Sequence, residues 1–332
     1  MKFNRFLIVI FMMAVLLVGL NVGKAVATEG GGGHYTGGTD DFMVGSVNPA
    51  GFYFTNYLEF YNLTDYPDKR IGLSATNVGK GAGVPMRDST KYGRPDQKGY
   101  NFFEQIKFTY VGKTKILGAN PYFKAAEGVQ YSHSEYTAPL YAKEPSDTKT
   151  GLQDMSIGAG LGWHLNKNLH MIAEMNLYLP AGAYDGSNSS GNTGDSANIG
   201  ANYYTYMPAW SITYLSDGGY EASAKFMYNI NTTNTQTGYS SGDEFHLDYL
   251  LGKHCGKWNY GINGYYYYQT TKDDFRGQDP TFDGNKGRVF AFGPAVSYKF
   301  QNMTFKLKYA YETAVTNRPE GQRYWFDFAY AF

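Results

Sequence analysis

Arg323–Phe332 reads RYWFDFAYAF. Tyr324, Phe326, Phe328, Tyr330 and Phe332 share one parity, and Arg323, Trp325, Asp327, Ala329 and Ala331 share the other. Strict alternation is the period of a β-strand with two unlike faces. One face is wholly aromatic; the other carries an arginine and an aspartate. In water an aromatic face has to be buried, whereas against lipid it can stand exposed, with tyrosine at the interface where one end of the ring is greasy and the other wet. An edge strand of a soluble sandwich is the competing reading, and the rest of the chain decides between them.

The same alternation recurs upstream. Segments 51–62, 101–112, 118–133, 152–165, 169–180, 202–215, 220–231, 243–252, 257–269, 288–300 and 303–312 each set apolar or aromatic residues against polar ones. Leu307, for example, lies between Lys306 and Lys308, and Tyr249 follows Asp248. In 51–62 Asn56 interrupts the apolar face, and in 118–133 Glu127 falls on the apolar parity, for which a β-bulge at that point is the expected repair. With the last segment this predicts about twelve antiparallel strands, or fourteen if part of Leu63–Tyr100 forms a further hairpin. The connections alternate between tight turns and mostly long polar loops. That asymmetry, with a strand ending in phenylalanine, is the pattern of an all-β, up-and-down outer-membrane barrel closing through its first and last strands. Both ends of the barrel then lie on the short-turn, periplasmic side.

The beginning of the chain agrees. Lys2 and Arg5 precede an apolar run from Phe6 to Leu20, and Ala25-Val26-Ala27 offers a small-x-small site. This predicts a secretory signal peptide over 1–27, a glycine-rich segment over 28–50 that is either a periplasmic tail or a plug, and a barrel over 51–332. The mean hydropathy of −0.44 suits such a barrel, because lumen-facing residues dilute the apolar ones. The whole chain carries 29 Lys+Arg and 29 Asp+Glu; loss of Lys2, Arg5 and Lys24 with the signal leaves 26 against 29. That balance makes no electrostatic case for nucleic acid. Cys255 is the single cysteine, so no internal disulfide forms.

The histidines stand in no HExxH motif, and His164 and His170, flanking one turn, make at most a weak metal pair. GxSxG is absent, and no nucleophile, base and orienting group assemble from the pattern. No enzyme activity, cofactor or metal is expected. The inward parity is more informative. It carries Glu59, Lys107, Lys124, Asp154, Glu174, Glu221, Lys225, Glu244, His246, Asp248, Arg288, Lys299, Lys306, Lys308, Glu312, Arg323 and Asp327, with the aromatics Tyr53, Tyr57, Tyr203, Tyr265, Tyr267 and Trp325. Pairing strands about their loops places Lys225 near Asp248, Lys308 near Asp327 and Glu312 near Arg323. A ladder of charges that stiffens the wall is one reading, and a polar passage with a stacking path for planar solutes is the other. The candidate solute-path residues are Tyr57, Lys107, Glu174, Tyr203, Lys225, Glu244, His246, Asp248, Tyr265, Tyr267, Arg288, Lys306, Lys308, Glu312, Arg323, Trp325 and Asp327.

The stretches GGGGHYTGGTDDFMVGSVNPAGFYFTNYLEFY, LGWHLNKNLHMIAEMNLYLPAGAYD, ANIGANYYTYMPAWSITYL, SGDEFHLDYLLG, DGNKGRVFAFGPAVSY and NRPEGQRYWFDFAYAF resemble the SphA-like outer-membrane transporter family, also named for the MetA pathway of phenol degradation. The resemblance runs in order over nearly the whole mature chain. It implies an outer-membrane barrel concerned with passive uptake of small hydrophobic, aromatic or lipid-like compounds. A general porin, and a structural or adhesive barrel acting through its loops, are the alternatives. The implied partners are outer-membrane lipid, a small-molecule solute and the assembly machinery, which reads the terminal Phe332.

Overall fold

The computed structural model describes residues 33–65, 96–137, 146–184, 198–277 and 286–332. The expected signal peptide, and most of the expected loop Leu63–Tyr100, lie outside the described residues.

The strands in chain order are β1 (Gly51–Asp65), β2 (Asp96–Val111), β3 (Asn120–Thr137), β4 (Ser146–Leu152), β5 (Met155–His164), β6 (Leu169–Leu179), β7 (Thr205–Leu215), β8 (Tyr220–Asn231), β9 (Thr233–Asn234), β10 (Tyr239–Ser240), β11 (Glu244–Cys255), β12 (Trp258–Gln269), β13 (Asp274–Phe275), β14 (Arg288–Phe300), β15 (Met303–Thr316) and β16 (Glu320–Ala331). The two-residue strands β9, β10 and β13 pair into a small separate ribbon. The others form one antiparallel sheet, which the β2–β3 pairing closes on itself. Because β4 and β5 both pair with β3 and follow one another along it, the closed barrel has 12 staves. β1 lies against β16 from Tyr53–Ala331 to Asp65–Glu320, so the first and last staves meet. Closure leaves no free edge, and every wall strand satisfies its backbone against neighbours, which a membrane interior demands.

The alternation resolves into an outer and an inner face. On β15, Leu307 is 57% exposed and Lys308 4%. On β12, Tyr260 and Ile262 are exposed while Asn263 is buried. The outer face carries clusters of aromatic rings: Phe328 meets Phe54 and Phe305, Tyr324 meets Phe60 and Tyr309, and Trp210 stacks on Phe226. The turns at 112–119, 165–168, 216–219, 256–257 and 301–302 are short and share the end where β1 begins and β16 stops.

Two expectations change. The bulge expected at Glu127 sits in the neighbouring stave: Ala126 faces Ser156 and Val129 faces Leu152, so Gln153–Asp154 carries the extra residue between β4 and β5. The β2–β3 register runs unbroken through Ile106–Glu127, so Glu127 stays on the outer parity, its carboxylate accepting the Gly128 N–H at 3.0 Å. Arg288, expected in the lumen, shares the parity of the exposed Phe290 and Phe292, and is itself exposed opposite Tyr268. It stands on the outside at the loop end of β14, beside Thr316.

Candidate functional site: the lumen and the segment that crosses it

Residues 33–50 precede β1, and 33–47 of them lie inside the barrel. Their contacts run from the loop end of the wall to its turn end and are set by inward residues of several staves.

At the loop end His34 bonds Asp154 through Nε2 at 2.8 Å and Thr205 through Nδ1 at 2.7 Å, with its ring stacked on Tyr178 and edge-on to Tyr203. The bulge re-aims Asp154 inward, and its two oxygens also accept the N–H groups of Gly182 and Ala201. Thr205 donates its single proton to Asn231 at 2.6 Å, so this Thr–His–Asp trio is a dock, with no free nucleophile. Gly33 lies against the Glu244 carboxylate, which is bonded to Asn229 and His246.

Midway, Asp248 accepts three hydrogen bonds from the segment: from Tyr35 Oη at 2.5 Å, from Gly38 N at 2.9 Å and from Asp40 N at 3.1 Å. Gly38, with φ of +83°, turns the chain where an added Cβ would strike Tyr265 and Trp325. Asp40 pairs with Lys225 at 2.8 Å; Lys225 also pairs with Glu174 at 2.7 Å, and Glu174 with Lys124 at 2.8 Å. Asp41 pairs with Lys306 and, at 2.9 Å, with Lys308, which reaches Asp327 at 3.2 Å and donates to the carbonyls of Gly38 and Thr39. Burial alone would raise the Asp40 carboxyl, but Lys225, Lys107 and Lys124 hold it well below the usual carboxylate range. Lys306 and Lys308 likewise outweigh burial and lower Asp41. Burial, then Asp248 and Asp40, raise the Tyr35 phenol well above its ordinary value, so Tyr35 stays a donor.

Towards the turn end, Met43 N donates to Glu221 at 2.5 Å and Gly45 N to the Thr213 hydroxyl at 2.9 Å. A Cβ on Gly45 would come within 2.4 Å of the Thr213 backbone nitrogen. Val47 packs with Val111, Tyr122 and Ile172, in the space that a side chain at Gly162 would fill.

A second network belongs to the wall itself. Arg323 pairs with Glu59 and, at 3.1 Å, with Glu312, which also accepts from Tyr61 and Tyr265. Tyr267 is capped by Arg318 at 3.8 Å and reaches Glu244. Lys308–Asp327 and Glu312–Arg323 therefore pair as expected. Lys225 and Asp248 are register partners, but the segment comes between their charges: Lys225 takes Asp40, and Asp248 takes Tyr35 and two amides. Tyr57 accepts from Lys107, while Tyr203 and His246 pack at the loop end against His34 and Tyr35. Of the candidate solute-path residues, all except Arg288 line the inside. His164 and His170 bond one another at 2.8 Å, and among the described residues no group of three or more His, Cys, Asp or Glu could hold a metal.

The family model described as "Putative MetA-pathway of phenol degradation" matches residues 45–328. The chain belongs to this family. Among solved structures, it is similar to the COG4313 outer membrane channel from Pseudomonas putida F1, with TM-score 0.66 and 14% identity over 88% of this chain and 100% of that one. A FadL homologue from Pseudomonas aeruginosa aligns at TM-score 0.39 and 10% identity, over 93% and 99% of the two chains. The monoaromatic hydrocarbon channel TodX, as its deltaS2S3 mutant, aligns at TM-score 0.39 and 11% identity, over 86% and 91%. No curated protein matches. The family member described here is an outer-membrane β-barrel.

Four residues of this lumen are not legible from strand alternation: His34, Tyr35, Asp40 and Asp41. They sit in a stretch without a period. The signal that points to them is the pair Lys306 and Lys308, two inward lysines facing a single wall carboxylate, Asp327, and the tandem Asp40-Asp41 that supplies the missing charge.

Proposed function

We propose that the protein is a passive outer-membrane channel for small hydrophobic or aromatic compounds, and that residues 28–50 act as its plug once the signal peptide 1–27 is removed. The observation that carries this reading is the passage of residues 33–47 through the lumen. A general porin needs a water-filled opening along its axis. Here the axis is held by a segment whose main chain and carboxylates engage the wall residues Asp248, Lys225 and Lys308. Its grip is mostly polar: ion pairs and hydrogen bonds, with apolar anchoring at Val47. Such contacts exchange stepwise with solute or water more readily than a buried apolar core does. The aromatic lining at Tyr57, Tyr178, Tyr265 and Trp325 offers planar solutes a surface as the segment yields. The family's link to phenol degradation favours an aromatic solute.

The test is liposome swelling with purified protein, comparing sugars, phenols and long-chain amines. Phenol uptake without sugar passage is expected of the full chain, and deletion of Glu29–Pro49 should admit sugars as well. A folded barrel that passes no solute after that deletion would end the channel reading.

A further inference from the structure

Between residues 34–40 and the wall of β2, β3 and β6 lies a cavity of about 60 Å³. Its lining includes Lys107, Lys124 and Lys225, with Asp40, and the apolar Phe103 and Met207. The ion pairs are unevenly shared. Lys225 is shared by Asp40 and Glu174, and Lys124 is paired with Glu174. Asp248, behind Asp40, is taken up by Tyr35 and two backbone N–H groups. Lys107 has no ion-pair partner among the described residues; its ammonium donates to Tyr57 Oη and lies 4.7 Å from that ring's centre. An ammonium has three N–H donors, so Lys107 keeps two for whatever enters the cavity. A cation in such a place needs either water or an anion.

We infer that this cavity is a binding site for a short-chain monocarboxylate, with Lys107 as the ion-pair partner and Phe103 and Met207 against the alkyl end. One ammonium without an ion pair selects a monoanion. The volume sets the size: a cavity of roughly 150 Å³ is what holds a benzene ring, and this one is well under half of that. Propionate fits the description, and benzoate exceeds that volume. The inference rests on the channel reading only in that the ligand arrives through the lumen.

Calorimetric titration of the folded full-length protein in detergent tests it, with propionate, its neutral isostere propionamide and benzoate as probes. Propionate should bind at least roughly tenfold more tightly than propionamide, as for a hydrogen bond to a charged partner, and more tightly than benzoate. Lys107→Met should abolish the difference between propionate and propionamide, and Lys107→Arg should keep it, both variants remaining heat-modifiable on gels. Equal binding of propionate and propionamide, benzoate binding as tightly as propionate, or a Lys107→Met protein that behaves as wild type would each overturn the assignment. Phenol flux in liposomes separates the two proposals: flux retained without any preference for propionate removes this site and leaves the channel standing.

Discussion

Asp41 and Lys308 form an ion pair of 2.9 Å with both side chains wholly buried, joining the segment before the first strand to the fifteenth. Lys308 keeps Asp327 at 3.2 Å on its other side. The wall therefore has a cation that is only half answered until the segment enters.

The first prediction concerns that pair. Asp41→Asn should weaken seating of the segment by about 1.5–3 kcal/mol, the range for a hydrogen bond to a charged group. The barrel should still form, because Lys308 retains Asp327. Single-channel recording should show larger or more frequent openings than wild type, with unchanged heat-modifiable mobility. Identical conductance traces would mean that the segment is held elsewhere.

Parity can be tested on adjacent residues. Leu307 faces outward and Lys308 inward. An arginine on the lipid face costs about 2–4 kcal/mol near the bilayer midplane. Leu307→Arg should reduce the assembled fraction, while Lys308→Gln should assemble and only loosen the segment. Equal assembly of the two variants would contradict the assigned faces.

The pH response follows from the two aspartates. Both are held below the ordinary carboxylate value by lysines. A lowered folded-state value means that the stabilisation is present above the unfolded value, about pH 4, and is lost as pH falls through the folded one. Seating through Asp40 and Asp41 should therefore be constant from pH 8 to pH 5 and fail only in strong acid, below about pH 4. Protease sensitivity of residues 33–50, measured across that range in detergent, checks this. Release between pH 7 and pH 5 would point to a different titrating group.

Gly45 gives a steric test free of charge. Its Cβ position lies 2.4 Å from the Thr213 nitrogen and 2.5 Å from the Ile212 carbonyl carbon, both backbone atoms that cannot turn aside. Gly45→Ala should displace the segment at the turn end and raise conductance, with the strand content by circular dichroism unchanged.

Phe332 is 76% exposed, its N–H bonded to the Phe52 carbonyl at 3.0 Å and its ring edge-on to Tyr330. It contributes little to packing within the barrel. Its removal should slow insertion into the outer membrane while leaving the refolded barrel as stable as before. Surface yield in cells against melting of the refolded protein separates the two effects, and unchanged surface yield would refute a role in assembly.

Strand identity, strand faces and barrel closure were determined by local sequence. A residue's face follows from its parity, and RYWFDFAYAF carries that parity in plain form. Arg288 shares the outer face of Phe290 and Phe292, and its charge alone suggests the lumen; at the stave end, where the register with β15 shifts between Arg288 and Phe290, a charge can stand outside in solvent. At Glu127 parity shows that a register must slip, while hydrogen bonding between staves decides that the neighbouring stave carries the extra residue. The Lys308–Asp327 and Glu312–Arg323 pairs were readable because β15 and β16 are joined by a short connection that sets their register. Asp41 against Lys308, Asp40 against Lys225 and Tyr35 against Asp248 were not, since no periodicity marks residues 33–50 and each partner lies on a different stave. Only the closed barrel brings those staves around one axis, and only there does burial turn a mixed set of lumen charges into a requirement that the incoming segment meets.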